Sequence, residues 1–197
     1  MLKIVNVPNP VLSQIAKPVS RVNFEVRQLL EEMKVSLLSA KDPVGVGLAA
    51  PQVNRSLQIF IAKPTSKSPI QVFINPKIIQ KNKISHLTID SDRVNKLNKT
   101  IGEKSSTKLE GCLSLPNIWG EVKRDPTIKL QYQLIINNHE LITKTHTFSG
   151  FIATIIQHEM DHLQGILFPK RVLEQKGTLY KSHKNEKNED VFEEIEI

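Results

Sequence analysis

Apolar residues first recur at helical spacing near the N-terminus. Val26, Leu29, Leu30, Met33, Leu37 and Leu38 fall on one stripe if the chain turns about 100° per residue. Asn23 precedes them with a side-chain oxygen able to cap, so the pattern predicts a helix from there to about Ala40. Two short apolar runs, "LQIFIA" (57–62) and "QVFIN" (71–75), predict strands separated by a Pro/Ser/Thr turn. Residues 80–108 are rich in Lys, Asn and Ser with weak alternation, which predicts a long loop with at most one poor hairpin. "TIKLQYQLII" alternates, placing Ile128, Leu130, Tyr132 and Leu134 on one face. "NNHE" then turns the chain into "LITKTHTF", an antiparallel hairpin. The last strong helical pattern runs from Gly150 to about Leu163, with Ser149 as its expected cap and Gly165 as its stop. From about Glu174 the chain is charged and poor in apolar residues, which predicts a frayed or disordered tail with at most a short terminal helix.

Composition narrows the class. The chain has 197 residues, 39% hydrophobic and 24% charged, enough for one domain with a sizeable core. Nothing approaches the roughly 18 apolar residues of a membrane span, and the N-terminus lacks the features of a secretion signal. The single cysteine, Cys112, excludes an intrachain disulfide and fits a reducing cytoplasm. Net charge is +7, unevenly spread: residues 181–197 hold three Lys against six Asp and Glu, so residues 1–180 carry +10. Such a body suits either a solubilising lysine-rich surface or the neighbourhood of a ribosome. Aromatic content of 5% and the lack of any nucleic-acid motif argue against direct DNA binding.

The chemistry concentrates in three short segments. In "QHEMDH", His158 and His162 stand one turn apart on the same helix face, and Glu159 lies beside them. Two imidazoles at that spacing can converge on one ion, with the carboxylate within reach of a water there. The competing reading is a satisfied pair of core histidines. Phe151, Thr154 and Ile155 extend the same stripe. Asp161 points away from it and suits a contact with a basic residue. Two imidazoles leave a metal site short of a ligand. Cys112 in "LEGCLSLP" can supply a thiolate, Gly111 and Pro116 suggesting a tight bend rather than a core strand. Alone, that cysteine reads better as a small buried hydrophobe. "GVGLAAPQ" (45–52) offers two glycines for close backbone approach and, in Gln52, a neutral amide donor. Arg124 is a candidate partner for Glu110. Trp119 reads equally as a flank of a groove mouth or as packing.

Taken in order, "GVGLAAPQ", "EGCLSLP" and "QHEMDHLQG" resemble the three signature motifs of peptide deformylases, and the resemblance extends over most of residues 3–173. It implies an α+β domain in which short antiparallel β-sheets pack around a central helix carrying His158 and His162, followed by the charged tail, residues 174–197. It also implies a metal bound by Cys112, His158 and His162, typically Fe(II), with Zn(II), Ni(II) or Co(II) accommodated. Glu159 would be the general base and then the acid, with Gln52 and the Leu113 N–H as the oxyanion hole. Substrate would be aligned by the backbone near Gly47. For the methionine that the resemblance implies, Val46, Leu113, Phe151, Thr154 and Ile155 are placed to supply the walls of an apolar pocket. The implied substrate is a nascent formyl-Met polypeptide. Two other classes fit parts of the pattern: an H-E-x-x-H metalloprotease, which typically lacks the cysteine motif, and a ribosome-docking protein with a structural metal, which would not need Glu159. Nothing in the tail resembles site chemistry, so deletion beyond about Lys181 is expected to leave turnover within a few-fold.

Overall fold

The first helix begins where the pattern places it. Asn23 Oδ1 accepts the Val26 N–H at 2.9 Å, capping α1 (Phe24–Ser39). Val26, Leu29, Leu30, Met33 and Leu37 are buried, whereas Leu38 is 56% exposed because the step of about 100° from Leu37 carries it off the stripe. The computed structural model describes every residue except 42, 82–108, 138–139, 187–189 and 197.

Among the described residues, five antiparallel strands form one sheet. They are β1 (Gly47–Ala49), β2 (Ile59–Ala62), β3 (Gln71–Lys81), β6 (Thr127–Ile136) and β7 (Glu140–Ser149), in the order β1-β2-β3-β6-β7. The expected hairpin is β6–β7, running in register from Thr127↔Ser149 to Ile136↔Glu140. The continuous apolar run of β2 has a plain cause: both faces of this sheet are covered. Leu48, Ile59, Ile61 and Ile74 belong to the cluster built on α1. Ala49, Phe60, Ala62 and Phe73 belong to the opposite cluster, built on α2 (Phe151–Leu163). Gln80 and Lys81, expected in a loop, end β3; the rest of that expectation lies outside the described residues.

A second sheet has the order β4-β5-β8-β9, with β4 (Leu109–Cys112), β5 (Leu115–Glu121), β8 (Leu179–Lys184) and β9 (Asp190–Glu194). With α3 (Phe168–Glu174) it encloses a third cluster of Cys112, Val122, Phe168, Val172 and Leu179. Two expectations need correction here. Cys112 sits at the end of a strand as well as beside a bend: it pairs with Leu115 across an immediate reversal. The tail is not frayed throughout, since residues 179–184 and 190–194 are strands. Lys181 faces Glu193 across them, so alternating charges stabilise pairing that has one solvated face.

The helix that carries the histidines differs at its start. Ser149 is the last residue of β7, its Oγ 3.0 Å from Thr127 Oγ1. Gly150 takes the cap position instead, with φ 70° and ψ −144°, a conformation open to a residue without Cβ. The stop is as expected: Gly165 has φ 67°, its N–H donates to His162 O and the Ile166 N–H to Asp161 O. No helix among the described residues is long and apolar enough to cross a membrane.

Candidate active site

The strand end and the helix meet at one point. The ligand-capable atoms of Cys112, His158 and His162 lie within 4.8 Å of one another, and Cys112 Sγ is 3.2 Å from His162 Nε2. Two turns of local geometry produce this. The i, i+4 spacing puts both imidazoles on one face of α2, their ring centroids 5.0 Å apart. The β4–β5 reversal swings Cys112 onto that face. Burial would raise the thiol pKa, but the charge of His162 and hydrogen bonding from His158 and His162 outweigh it and hold Cys112 well below the ordinary thiol range. Burial would likewise lower His158, yet Cys112 and Glu110 hold it well above the ordinary imidazole range.

Glu159 is 3% exposed, and burial raises its pKa to about 7 against the opposing charges of His158 and His162. Its Oε2 and His162 Nδ1 are buried without a hydrogen-bond partner. Such orphaned atoms beside a thiolate suit a site completed by a ligand. Gln52, in a short 3-10 turn (Ala50–Val53), is also buried. Its Oε1 accepts the Ala49 N–H at 2.8 Å, which turns Nε2 toward Ser114 Oγ at 3.3 Å and Cys112 Sγ at 3.5 Å. An amide donor is thereby aimed at the site.

A chain of charges supports these candidate ligands from behind. His158 Nδ1 lies 3.1 Å from Glu110 Oε2, and Arg124 grips that carboxylate with two N–H donors at 2.8 and 2.9 Å. Burial opposes the charged form of Glu110, but Arg124 and His158 prevail and bring it down to about 2. A third Arg124 donor reaches Asp161 at 2.7 Å, and Arg171 reaches the same carboxylate from α3. Asp161 thus makes the basic contact expected of it, away from the ligand cluster. Ser114 and Arg171 were not singled out from the sequence. Glu110 stands where it was expected, paired with Arg124, and as a residue two before Cys112 on a strand it shares that residue's face.

A cleft of about 530 Å³ opens beside these groups. Val46, Gly47, Gln52, Leu113, Phe151, Thr154 and Ile155 border it, together with Cys112, His158 and Glu159, while His162 lies behind. Trp119 borders it too and also packs within the second sheet, so both of its readings hold. A larger hollow of about 680 Å³ lies between α1 and the outer parts of β3 and β6, away from the ligand cluster.

Comparison with known proteins bears on this arrangement. A family model described as polypeptide deformylase matches residues 1–177. A peptide deformylase of Rhodopirellula baltica is 33% identical over 177 residues, covering 88% of this chain and 74% of that protein. Among solved structures, a peptide deformylase from Synechococcus elongatus in complex with actinonin superposes with a TM-score of 0.65 at 31% identity. It covers 86% of this chain and 78% of that one. The peptide deformylase from Thermotoga maritima gives 0.66 at 30% identity, covering 87% and 97%.

Proposed function

The chain belongs to the polypeptide deformylase family, and from that premise we propose that it hydrolyses the formamide of N-terminal formyl-methionine on new polypeptides, releasing formate and a free amine. The observation that carries this reading is the convergence of Cys112, His158 and His162 beside a buried carboxylate, Glu159, in a cleft large enough for a side chain and its backbone. Three protein donors rather than four among the described residues suit a catalytic ion with an open position. A thiolate with two imidazoles suits Fe(II) or Zn(II), with Ni(II) or Co(II) accommodated. The engagement of His158 Nδ1 by Glu110 leaves its Nε2 as the ligating nitrogen, the usual carboxylate–histidine support of a metal site. When bound, the ion supplies Lewis acidity that brings the pKa of a water to near 7.

Glu159 takes the proton from the attacking water and returns it to the departing nitrogen, two tasks for which a pKa of about 7 is well matched. Gln52 Nε2 and the Leu113 N–H stabilise negative charge on the former formyl oxygen. Gly47 lies on β1, which among the described residues pairs only with β2, leaving an edge along which a peptide can add as a strand. Phe151, Thr154, Ile155, Val46 and Leu113 provide apolar walls for the methionine side chain. We place this activity in the cytoplasm, where a body carrying +10 over residues 1–180 suits approach to the RNA-rich ribosome surface. The test is formate release from a formyl-Met peptide, with and without chelator, in air and under anaerobic conditions. Chelator-sensitive release restored by Fe(II) supports the reading. Internal cleavage of unformylated peptides without formate release would favour a protease instead.

A further inference from the structure

The family match ends at residue 177, yet β8 and β9 beyond it reach back to Trp119, a residue that borders the cleft. Trp119 of β5 lies opposite Gly111, the neighbour of Cys112. A Cβ on Gly111 would stand 2.9 Å from two atoms of the indole, so the ring rests directly on that bare backbone. On its other side, the indole N–H donates to Ser182 Oγ of β8 at 3.0 Å. Phe192 of β9 meets the ring edge-on, the centroids 5.8 Å apart at 82°. Ser182 and Phe192 are themselves directly paired across β8 and β9. One hairpin thus fixes both the tilt and the depth of an indole that borders the cleft. A solvated tail has no need of either contact.

We propose that β8 and β9 belong to the substrate-binding machinery: they hold Trp119 as an aromatic wall that selects peptides with a bulky apolar residue immediately after the formylated methionine. Side chains of an extended peptide alternate between opposite sides. With methionine against the α2 wall of Phe151, Thr154 and Ile155, the next side chain faces away from α2, toward β4 and β5. This reverses the expectation that residues beyond Lys181 are dispensable, since Ser182 and Phe192 both lie there. Because the selectivity rests on the deformylase reading, the test separates the two.

The experiment uses the full chain and two substrates, formyl-Met-Phe and formyl-Met-Gly peptides. The unsubstituted enzyme is expected to prefer Phe over Gly through KM. Trp119→Ala should shrink that ratio about tenfold, the contribution of one lost aromatic contact with its burial. Ser182→Ala and Phe192→Ala should each shrink it several-fold, whereas Trp119→Phe should retain most of it. Trp119 is the chain's only tryptophan, so its emission reports binding without turnover. Unformylated Met-Phe should shift that emission and Met-Gly should not. A Phe/Gly ratio that survives Trp119→Ala, or an emission indifferent to Met-Phe, overturns the proposal. If the unsubstituted enzyme releases formate from neither peptide, the deformylase reading fails, and the emission titration then decides the aromatic wall by itself.

Discussion

A methyl group on Gly47 should disable the enzyme while leaving its metal in place. A Cβ there would stand 2.9 Å from the Glu159 carboxyl carbon and 2.9 Å from Ile155 Cγ2, and nearer still to Glu159 Oε1. Ordinary contact begins near 3.4 Å, so something must give. Ile155 is 4% exposed and locked in the core on the buried face of α2, whereas the carboxylate ends a flexible side chain. Glu159 therefore swings away, its carboxyl carbon by about 0.5 Å and its oxygen by about 1 Å, a misplacement that typically costs about 100-fold in rate. Overpacking of this kind costs about 1–3 kcal/mol of stability, so the fold should survive. For Gly47→Ala we therefore expect kcat for a formyl-Met peptide to fall about 100-fold, with one ion per chain retained and a modestly lowered urea midpoint. Formate release, metal analysis and urea titration check these three outcomes. A variant with near-normal kcat would refute the placement of Glu159 against Gly47 as the proton-transferring arrangement.

Cys112→Ser, His158→Ala and His162→Ala should each strip or severely weaken metal binding. A Cys112→Ser protein that still holds one ion with unchanged affinity would overturn the three-ligand assignment. Glu159→Gln should keep its ion and lose activity by orders of magnitude, since only the proton shuttle is removed, and near-normal turnover would sink the mechanism. Glu110 has a pKa of about 2 against an ordinary 4.5, so its charge stabilises the fold above about pH 4.5, and that contribution is lost as pH falls toward 2. In chelated protein, urea titrations across that window should show Glu110→Gln losing less stability than the unsubstituted chain; equal losses would remove Glu110 as the titrating group. Formyl-Met peptides should exceed formyl-Asp peptides by at least about a hundredfold in kcat/KM, the cost of an unpaired charge in an apolar slot. Comparable values would mean that the Phe151, Thr154 and Ile155 stripe is not the pocket.

What could be read along the chain depended on how local its cause is. The His158–His162 pair was legible because one helical turn decides it, and α1 because Asn23 and its stripe lie within sixteen residues of each other. Leu38 falls off that stripe by the single step of about 100° that separates it from Leu37. Sequence favours Ser149 as the cap because serine often serves there. Gly150 won because the strand pairing Thr127↔Ser149 continues to the last residue before α2, leaving a junction that needs positive φ. The hairpin at the C-terminus was missed for a different reason. Charged residues such as Lys181 and Glu193 read as disorder when taken in order, but they face each other once paired. Its few large apolar groups are placed by a partner more than 60 residues away, since the Trp119 indole bonds Ser182 and meets Phe192 edge-on. The site shows the same division. The candidate ligands sit in short motifs, and the pairing of Arg124 with Glu110 is legible beside them, whereas the further bond from Arg124 to Asp161 becomes meaningful only when β4 and α2 are brought together. Local periodicity thus locates the candidate reacting groups, while non-local pairing sets how rigidly they are held.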